Sequence, residues 1–207
     1  MKSLILACAL IFSFSALANQ KATDKLFDAV ENNNIKKARR AIEDGANVNA
    51  RTTTTSILLR AIKLNEIEIT KLLLDNKADI NQVRSIDLFS GLMIAAKQNN
   101  ASMAKLLISR GAKVNLVTPA MRNALHIAAL NNSLAVAEIL VKETNIDVNA
   151  REGLCALAVA SRQDHRGIVT LLKNLQGNQA PTAHCLERAI DMADFNEHVE
   201  VLKILRS

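Results

Sequence analysis

Tryptophan and tyrosine are missing from this chain of 207 residues, and five phenylalanines leave the aromatic content at 2%. Aliphatic side chains must therefore build nearly all of the core. The basic residues are scattered, and their densest group is Lys36, Lys37, Arg39 and Arg40 on one short helix. No aromatic platform and no nucleic-acid motif accompanies them, so nucleic acid is not an expected partner; the four read as a solvated outer face. Catalytic signatures are missing too: there is no P-loop, nucleophile elbow or dinucleotide fingerprint. Ser102-Met103-Ala104-Lys105 matches the S-x-x-K of penicillin-binding enzymes, but no S-D-N or K-T-G accompanies it. His184 adjoins Cys185, and Cys155 could join them. A zinc site takes three or four ligands with a recognisable spacing, and no fourth ligand is in sight. No metal, no cofactor and no enzymatic activity are expected.

After the first eighteen residues no stretch approaches the ~20 apolar residues that a membrane span takes. Those eighteen read as an address. Lys2 supplies a short positive region, Ser3 to Ser15 is almost wholly apolar, and Ala16-Leu17-Ala18 is a small-x-small cleavage site. This is the layout of a secretory signal peptide (1–18) cut after Ala18. A lipid-modified Cys8 after Ile5-Leu6-Ala7 would come before the apolar region is long enough. The short leader looks bacterial, which makes the periplasm the expected location and secretion the second choice. Loss of Lys2 leaves 25 basic residues against 20 acidic ones, a formal charge of +5 on Asn19 to Ser207. Such a charge tunes attraction to acidic partners and says nothing about fold.

What the chain does have is a ruler. Ala29, Ala61, Ala95, Ala128, Ala160 and Ala193 are spaced by 32, 34, 33, 32 and 33 residues. Three residues before each stands Leu26, Leu58, Leu92, Leu125, Leu157 or Ile190. A period near 33 means a solenoid built from one supersecondary unit. Leu92 to Asn115 shows the unit: a short helix with Ala95 and Ala96 on its small face, an Asn99-Asn100 turn, and a second helix bearing Met103, Leu106 and Leu107. Gly111 stops that helix, as a residue free to take positive φ should. Seven positions after each large aliphatic come Asn33, Asn65, Asn99, Asn132, Asp164 and Glu197, mostly residues that tolerate a left-handed turn. Paired aliphatics follow at Leu72-Leu73, Leu106-Leu107, Ile139-Leu140, Leu171-Leu172 and Ile204-Leu205. The first unit has Arg40-Ala41 there, which suits a polar cap on a terminal repeat. Cys155 and Cys185 fall in connecting loops, two and five positions before Leu157 and Ile190. A bridge needs Cα atoms within about 7 Å, and the unequal offsets favour two free thiols.

These residues resemble the ankyrin repeat. Gly45-Ala46-Asn47-Val48-Asn49-Ala50, Gly111-Ala112-Lys113-Val114-Asn115 and Asp147-Val148-Asn149-Ala150 look like its G-A-D-V-N-A. Asn123-Ala124-Leu125-His126-Ile127-Ala128-Ala129 looks like its T-P-L-H-x-A-A, and Glu197-His198-Val199-Glu200-Val201-Leu202-Lys203-Ile204-Leu205 like its G-H-x-E-V-V-K-L-L. Thr-Pro is absent from every unit, and Lys77 replaces a usual Gly. The resemblance implies an all-α ankyrin-repeat solenoid of about six helix-turn-helix repeats joined by β-hairpin-like loops. It forms one domain, 19–207, with repeats near 21–50, 51–82, 83–116, 117–150, 151–180 and 181–207. It gives His126 the job of helping to tie a turn to the next repeat, and places His165 and His198 at second-helix starts.

The resemblance also implies where a partner binds: the loop tips and the exposed side of the first helices. Carried over, the loop positions are Thr53, Thr55, Ile86, Asp87, Phe89, Met121, Arg122, Glu152, Leu154 and Glu187. The helix positions are Glu31, Lys63, Leu64, Lys97, Gln98, Leu130, Asn131, Arg162, Gln163 and Phe195. Phe89, Ile86, Leu64, Met121, Leu130 and Leu154 would make a broken apolar band rimmed by Lys63, Lys97, Arg122 and Arg162, the pattern of an interaction site. The irregular stretch Val83 to Ser90 could form a projecting finger. The expectation is a monomeric, non-catalytic module that holds one protein partner, with no nucleic acid and no membrane once the leader is gone. Bacterial proteins of this kind include inhibitors or protectors of periplasmic enzymes and factors supporting periplasmic catalase. A self-produced peptidoglycan hydrolase is one such target; an effector sent to a host cell is the other reading.

Overall fold

The ruler alanines mark the places of closest packing: Ala29, Ala61, Ala95, Ala128, Ala160 and Ala193 are all fully buried. In the computed structural model, which describes residues 2–150 and 154–207 with side chains from Leu17 onward, each sits in the first helix of a helix-turn-helix pair. The same device closes each first helix. Asn33, Asn65, Asn99, Asn132, Asp164 and Glu197 all have φ between 47° and 62°. That left-handed residue turns the chain so that the next amide donates back to the ruler alanine's carbonyl. The six bonds run from Asn34, Glu66, Asn100, Ser133, His165 and His198, at 2.8–3.0 Å. A 6→1 bond of this kind satisfies a carbonyl that the helix end would otherwise orphan.

Met1–Ser85 and Ile86–Ser207 form two compact units. In the first, α1 (Lys2–Glu31) continues as helix through the expected cleavage point after Ala18. Its later turns bury Ala22, Leu26, Ala29 and Val30, the i, i+4, i+7, i+8 stripe of an amphipathic helix. It packs on α2 (Ile35–Glu43) and on α3 (Ile57–Lys63), while α2 and α3 each pack on α4 (Ile67–Asp75). Ala41 is buried and Arg40 exposed, so the first repeat keeps one packing position polar, as read for a terminal cap. Asn34 and Ser56 cap α2 and α3, accepting from the amides of Lys37 (2.9 Å) and Leu59 (3.3 Å).

The second unit holds α5 (Gly91–Lys97), α6 (Ala101–Ser109), α7 (Ala124–Leu130), α8 (Leu134–Glu143), α9 (Ala156–Arg162), α10 (Arg166–Lys173), α11 (Ala183–Phe195) and α12 (Val199–Arg206). The first helices stack α5 on α7, α7 on α9 and α9 on α11; the second helices stack α6, α8, α10 and α12 in the same order. The core is their shared seam, with Leu92, Leu107, Leu125, Leu140, Leu157 and Leu172 almost without exposed surface on one or the other row.

Asparagine side chains stitch neighbouring repeats. Asn49 donates to Lys77 O and accepts from Asp79 N (2.7 Å) in the first unit. Asn115 does the same with Asn145 O and Asp147 N, and Asn149 with Ala180 O and Thr182 N, in the second. These are the asparagines of the Val-Asn motif. The loops are correspondingly turn-like. An isolated β-bridge joins Arg51 to Ser56, Val83 and Ser90 are bridge residues too, and Asx turns at Asn47, Asp79 and Asp147 shape the rest. Lys77 adopts φ 66°, the conformation that Gly45 and Gly111 take at the same point, so the missing glycine leaves the turn unchanged.

One expectation is overturned. Cys155 and Cys185 are joined in a disulfide, with Cα atoms 5.9 Å apart. Neither lies in an open loop: Cys155 is the N-cap of α9, and Cys185 sits in the first turn of α11. The unequal offsets are absorbed because α11 has 13 residues against 7 in α9. Its start, set by Thr182 accepting from Cys185 N (3.2 Å), brings the three-residue excess back over Cys155 as nearly one helical turn.

Candidate functional site

The helix positions expected to meet a partner share one structural address. Lys63, Lys97, Leu130, Arg162 and Phe195 are the last residues of α3, α5, α7, α9 and α11. Leu64, Gln98, Asn131 and Gln163 are the C-caps that follow the first four. All are exposed or half-buried. The cations at this end have a structural benefit as well, because positive charge is favoured at a helix C-terminus. Asn131 also donates to Ile127 O (2.7 Å), which helps close α7.

The loop positions divide by unit. In the first, Thr53 is exposed and Thr55 half-buried beside the Arg51–Ser56 bridge, with Thr55 O accepting from Thr52 N. In the second, Ile86 is 78% exposed and Met121 55%; Arg122, Phe89, Asp87 and Leu154 are half-buried. Glu152 lies outside the described residues. Asp87 accepts from Phe89 N (3.1 Å) and Thr118 O from Met121 N (2.8 Å), so both tips are built turns. Leu88 and Met121 hold left-handed φ of 54° and 55°, an uncommon conformation for such side chains. Each tip thus presents an apolar residue from a strained turn.

The expected apolar band is therefore sharper and smaller than the sequence implied. Ile86, Met121 and, at 87% exposure, Phe195 face solvent, while Phe89, Leu64, Leu130 and Leu154 are partly covered. Leu88 and Val117, 39% and 38% exposed, join the loop tips and were not anticipated. The one available signal for Leu88 was its place in the irregular stretch Val83 to Ser90.

Apart from exposed His184, the groups weighed for chemistry are committed to structural bonds. His165 and His198 N-cap α10 and α12, and their Nδ1 atoms lie 2.7 and 2.8 Å from Ala129 O and Ser161 O of the preceding repeat. Buried Asn123 was missed by motif reading. Its Oδ1 accepts from the amides of Leu125 and His126 and from His126 Nδ1 (2.8 Å), while its Nδ2 donates to Asp147 O (2.8 Å) near the end of the same repeat. Because Nδ2 must face a carbonyl, Oδ1 is fixed as acceptor and the His126 proton sits on Nδ1. The Ser102 motif falls on α6, where Lys105 pairs with Glu143 (3.6 Å). The disulfide removes both cysteines as thiolate ligands, and among the described residues no three His, Cys, Asp or Glu cluster suitably for a metal.

Charge is organised locally. Glu31 receives two hydrogen bonds from Arg60, one of them 2.6 Å from Nη2, clamping α1 to α3. That bonding holds the Glu31 carboxyl below its ordinary range and lifts Arg60. Arg166 does the same to Asp164 at the left-handed turn before α10. Burial pushes Glu66, at the start of α4, upward.

Comparison with known proteins gives one consistent result. A family model described as ankyrin repeats (3 copies) matches residues 92–183, and another, ankyrin repeats (many copies), matches 58–108. The chain is similar to a putative ankyrin repeat protein of fowlpox virus, 33% identical over 105 residues, covering 49% of this chain and 31% of that one. It is 30% identical over 105 residues to human ankyrin repeat and SOCS box protein 3, covering 49% and 20%. It is 26% identical over 153 residues to a putative ankyrin repeat protein of Acanthamoeba polyphaga mimivirus, covering 60% and 46%. The chain spans less than half the length of each of these relatives.

Proposed function

Because this chain belongs to the ankyrin-repeat family, whose repeats serve generally as non-catalytic protein-protein interaction modules, we propose that it is an exported bacterial binding module that holds one periplasmic enzyme and inhibits it. The observation that carries the reading is the pair of built loop tips before α5 and α7, which hold Ile86, Leu88, Val117 and Met121 in water. Exposed apolar side chains on rigid turns cost solvation without stabilising their own repeat, and such groups mark contact surfaces. Rigid tips also lose little freedom on binding. The disulfide supports the compartment, since such bonds persist in oxidising surroundings such as the periplasm. The action is steric: the tips cover a cleft on the partner. A cell's own peptidoglycan hydrolase fits, since it endangers its producer; a periplasmic catalase is the other enzyme considered.

The test pairs a pull-down from periplasmic extract with inhibition of purified wall hydrolases. The expected result is a hydrolase recovered by the native chain, inhibited by it, and released by Ile86→Asp with Met121→Asp at unchanged helical content. Recovery of no hydrolase, together with unchanged hydrolase sensitivity in a deletion strain, overturns the hydrolase assignment. Full retention of the partner by the double variant overturns the placement on the tips.

A further inference from the structure

Among the described helices, α2 carries the densest charge of one sign. Lys36, Lys37, Arg39 and Arg40 are all exposed on a helix of nine residues. At roughly 100° per residue they fall within an arc of about 160°, opposite buried Ala38 and Ala41. Lys36 with Arg39, Lys36 with Arg40 and Lys37 with Arg40 are like-charged pairs at i,i+3 or i,i+4, which destabilise a helix. Lys36 and Lys37 also stand in the first turn, where the helix dipole disfavours cations. The first turns of α4 and α12 carry Glu68 and Glu200 instead. The basic ends of α3, α5 and α9 have a dipole explanation; this arc has none.

The acids nearby are largely taken. Lys25 lies 3.7 Å from Asp44, and Lys37 lies 4.0 Å from Asp28. Lys36, Arg39 and Arg40 have no carboxylate within ion-pair distance among the described residues. Together with Ile35 and Glu43 they line an open groove of about 400 Å³. Three cations against one carboxylate, Glu43, leave that groove positive. It is shallow and carries no aromatic side chain, so it offers phosphate groups a charged bed and bases no platform to stack on.

We propose that this face of α2 is a docking surface for a membrane of anionic phospholipid, with lipid phosphates held between Lys36, Arg39 and Arg40. It belongs to the first unit and does not depend on what the loop tips bind. Lipid phosphates relieve the like-charge repulsion along the arc and the charge of Lys36 in the first turn, which folding leaves unpaired. The contact is peripheral and electrostatic, with a charged bed and no exposed large apolar residue on α2 to insert.

The experiment is vesicle co-sedimentation of the full chain. One set of vesicles contains equal parts phosphatidylglycerol and phosphatidylcholine, the other phosphatidylcholine alone. The expected result is tighter binding to the anionic vesicles, weakened by added salt. Replacing Lys36, Arg39 and Arg40 by Gln should reduce that binding roughly a hundredfold, from about a fivefold loss per cation, while thermal stability is kept or raised. A control variant with Lys105, Lys142 and Lys203 replaced by Gln removes the same charge from α6, α8 and α12, and should bind like the native chain. An equal loss in the control overturns the proposal, as does equal binding to both vesicles. Tighter binding to random-sequence duplex DNA than to anionic vesicles also overturns it, in favour of nucleic acid.

Discussion

Removing the Cys155–Cys185 bridge should uncouple the last repeat from the rest of the second unit. The bond closes a loop with a sequence separation of 30. The chain-entropy relation for such a loop gives about 3.6 kcal/mol at 25 °C. That is large for this repeat. In α11 the fully buried side chains are Cys185, Ala189 and Ala193, and in α12 they are Val201 and Leu205. A buried Val or Leu contributes about 1.5–3 kcal/mol, so the bridge matches the two large buried aliphatics of α12 combined. Neighbour-only packing keeps the loss local, since a terminal repeat contacts one neighbour. The assay is urea unfolding with and without dithiothreitol, read by circular dichroism, with hydrogen exchange to locate the change. The expected result is a separate early transition in the reduced chain, its midpoint lower by more than about 1 M, with amides 183–206 losing protection first. Cys155→Ala with Cys185→Ala should reproduce it. A single transition at an unchanged midpoint, with thiol titration showing both cysteines reduced, would refute the reasoning.

Other substitutions test the ruler and its turns. Lys77→Gly should raise stability by about 1 kcal/mol, because the left-handed φ of 66° costs a side chain that much; no gain in thermal melting would count against the turn assignment. Gly111→Ala should lower stability by a similar amount through backbone strain alone, as a Cβ there meets nothing within 4 Å. Ala95→Leu should cost about 1–3 kcal/mol in denaturant unfolding, since the site is fully buried and overpacking forces the stacked helices apart. Asn123→Ala should cost about 2–4 kcal/mol, losing a cap and leaving the buried His126 Nδ1–H without its acceptor. Glu31 titrates below its ordinary range because of Arg60, so the pair stabilises above the unfolded carboxylate pKa and that stability is lost as pH falls through the folded one. Comparing acid unfolding of the native chain with Glu31→Gln checks this: the variant should show less loss below pH 4.5, and a difference of under about 1 kcal/mol at neutral pH, as expected of an exposed pair.

Much of the architecture was legible because it rests on local rules. A left-handed turn needs a residue that tolerates it, and Asn33, Asn65, Asn99 and Asn132 announce theirs. Glu197 and Lys77 have no such tolerance; their conformations follow from position in the repeat, and only the period points to them. The candidate contact positions were legible as addresses, the last residue and C-cap of each first helix, but not as surfaces. Side-chain type could not tell exposed Ile86 from half-covered Phe89, since coverage depends on how each loop folds back.

The 33-residue alanine period by itself determined the unit, its two helices and its closing turn. A small side chain every repeat and a carbonyl five residues before a returning amide are properties of the chain taken one unit at a time. Tertiary structure alone decided the long-range pairings. Asn123 reaches Asp147, His165 reaches Ala129, and Cys155 meets Cys185 because α11 begins almost a turn early. The physical reason is that a motif specifies conformation within about seven residues, whereas a bond between residues far apart in the chain depends on helix length and stacking offset, which every turn between the two partners helps to set.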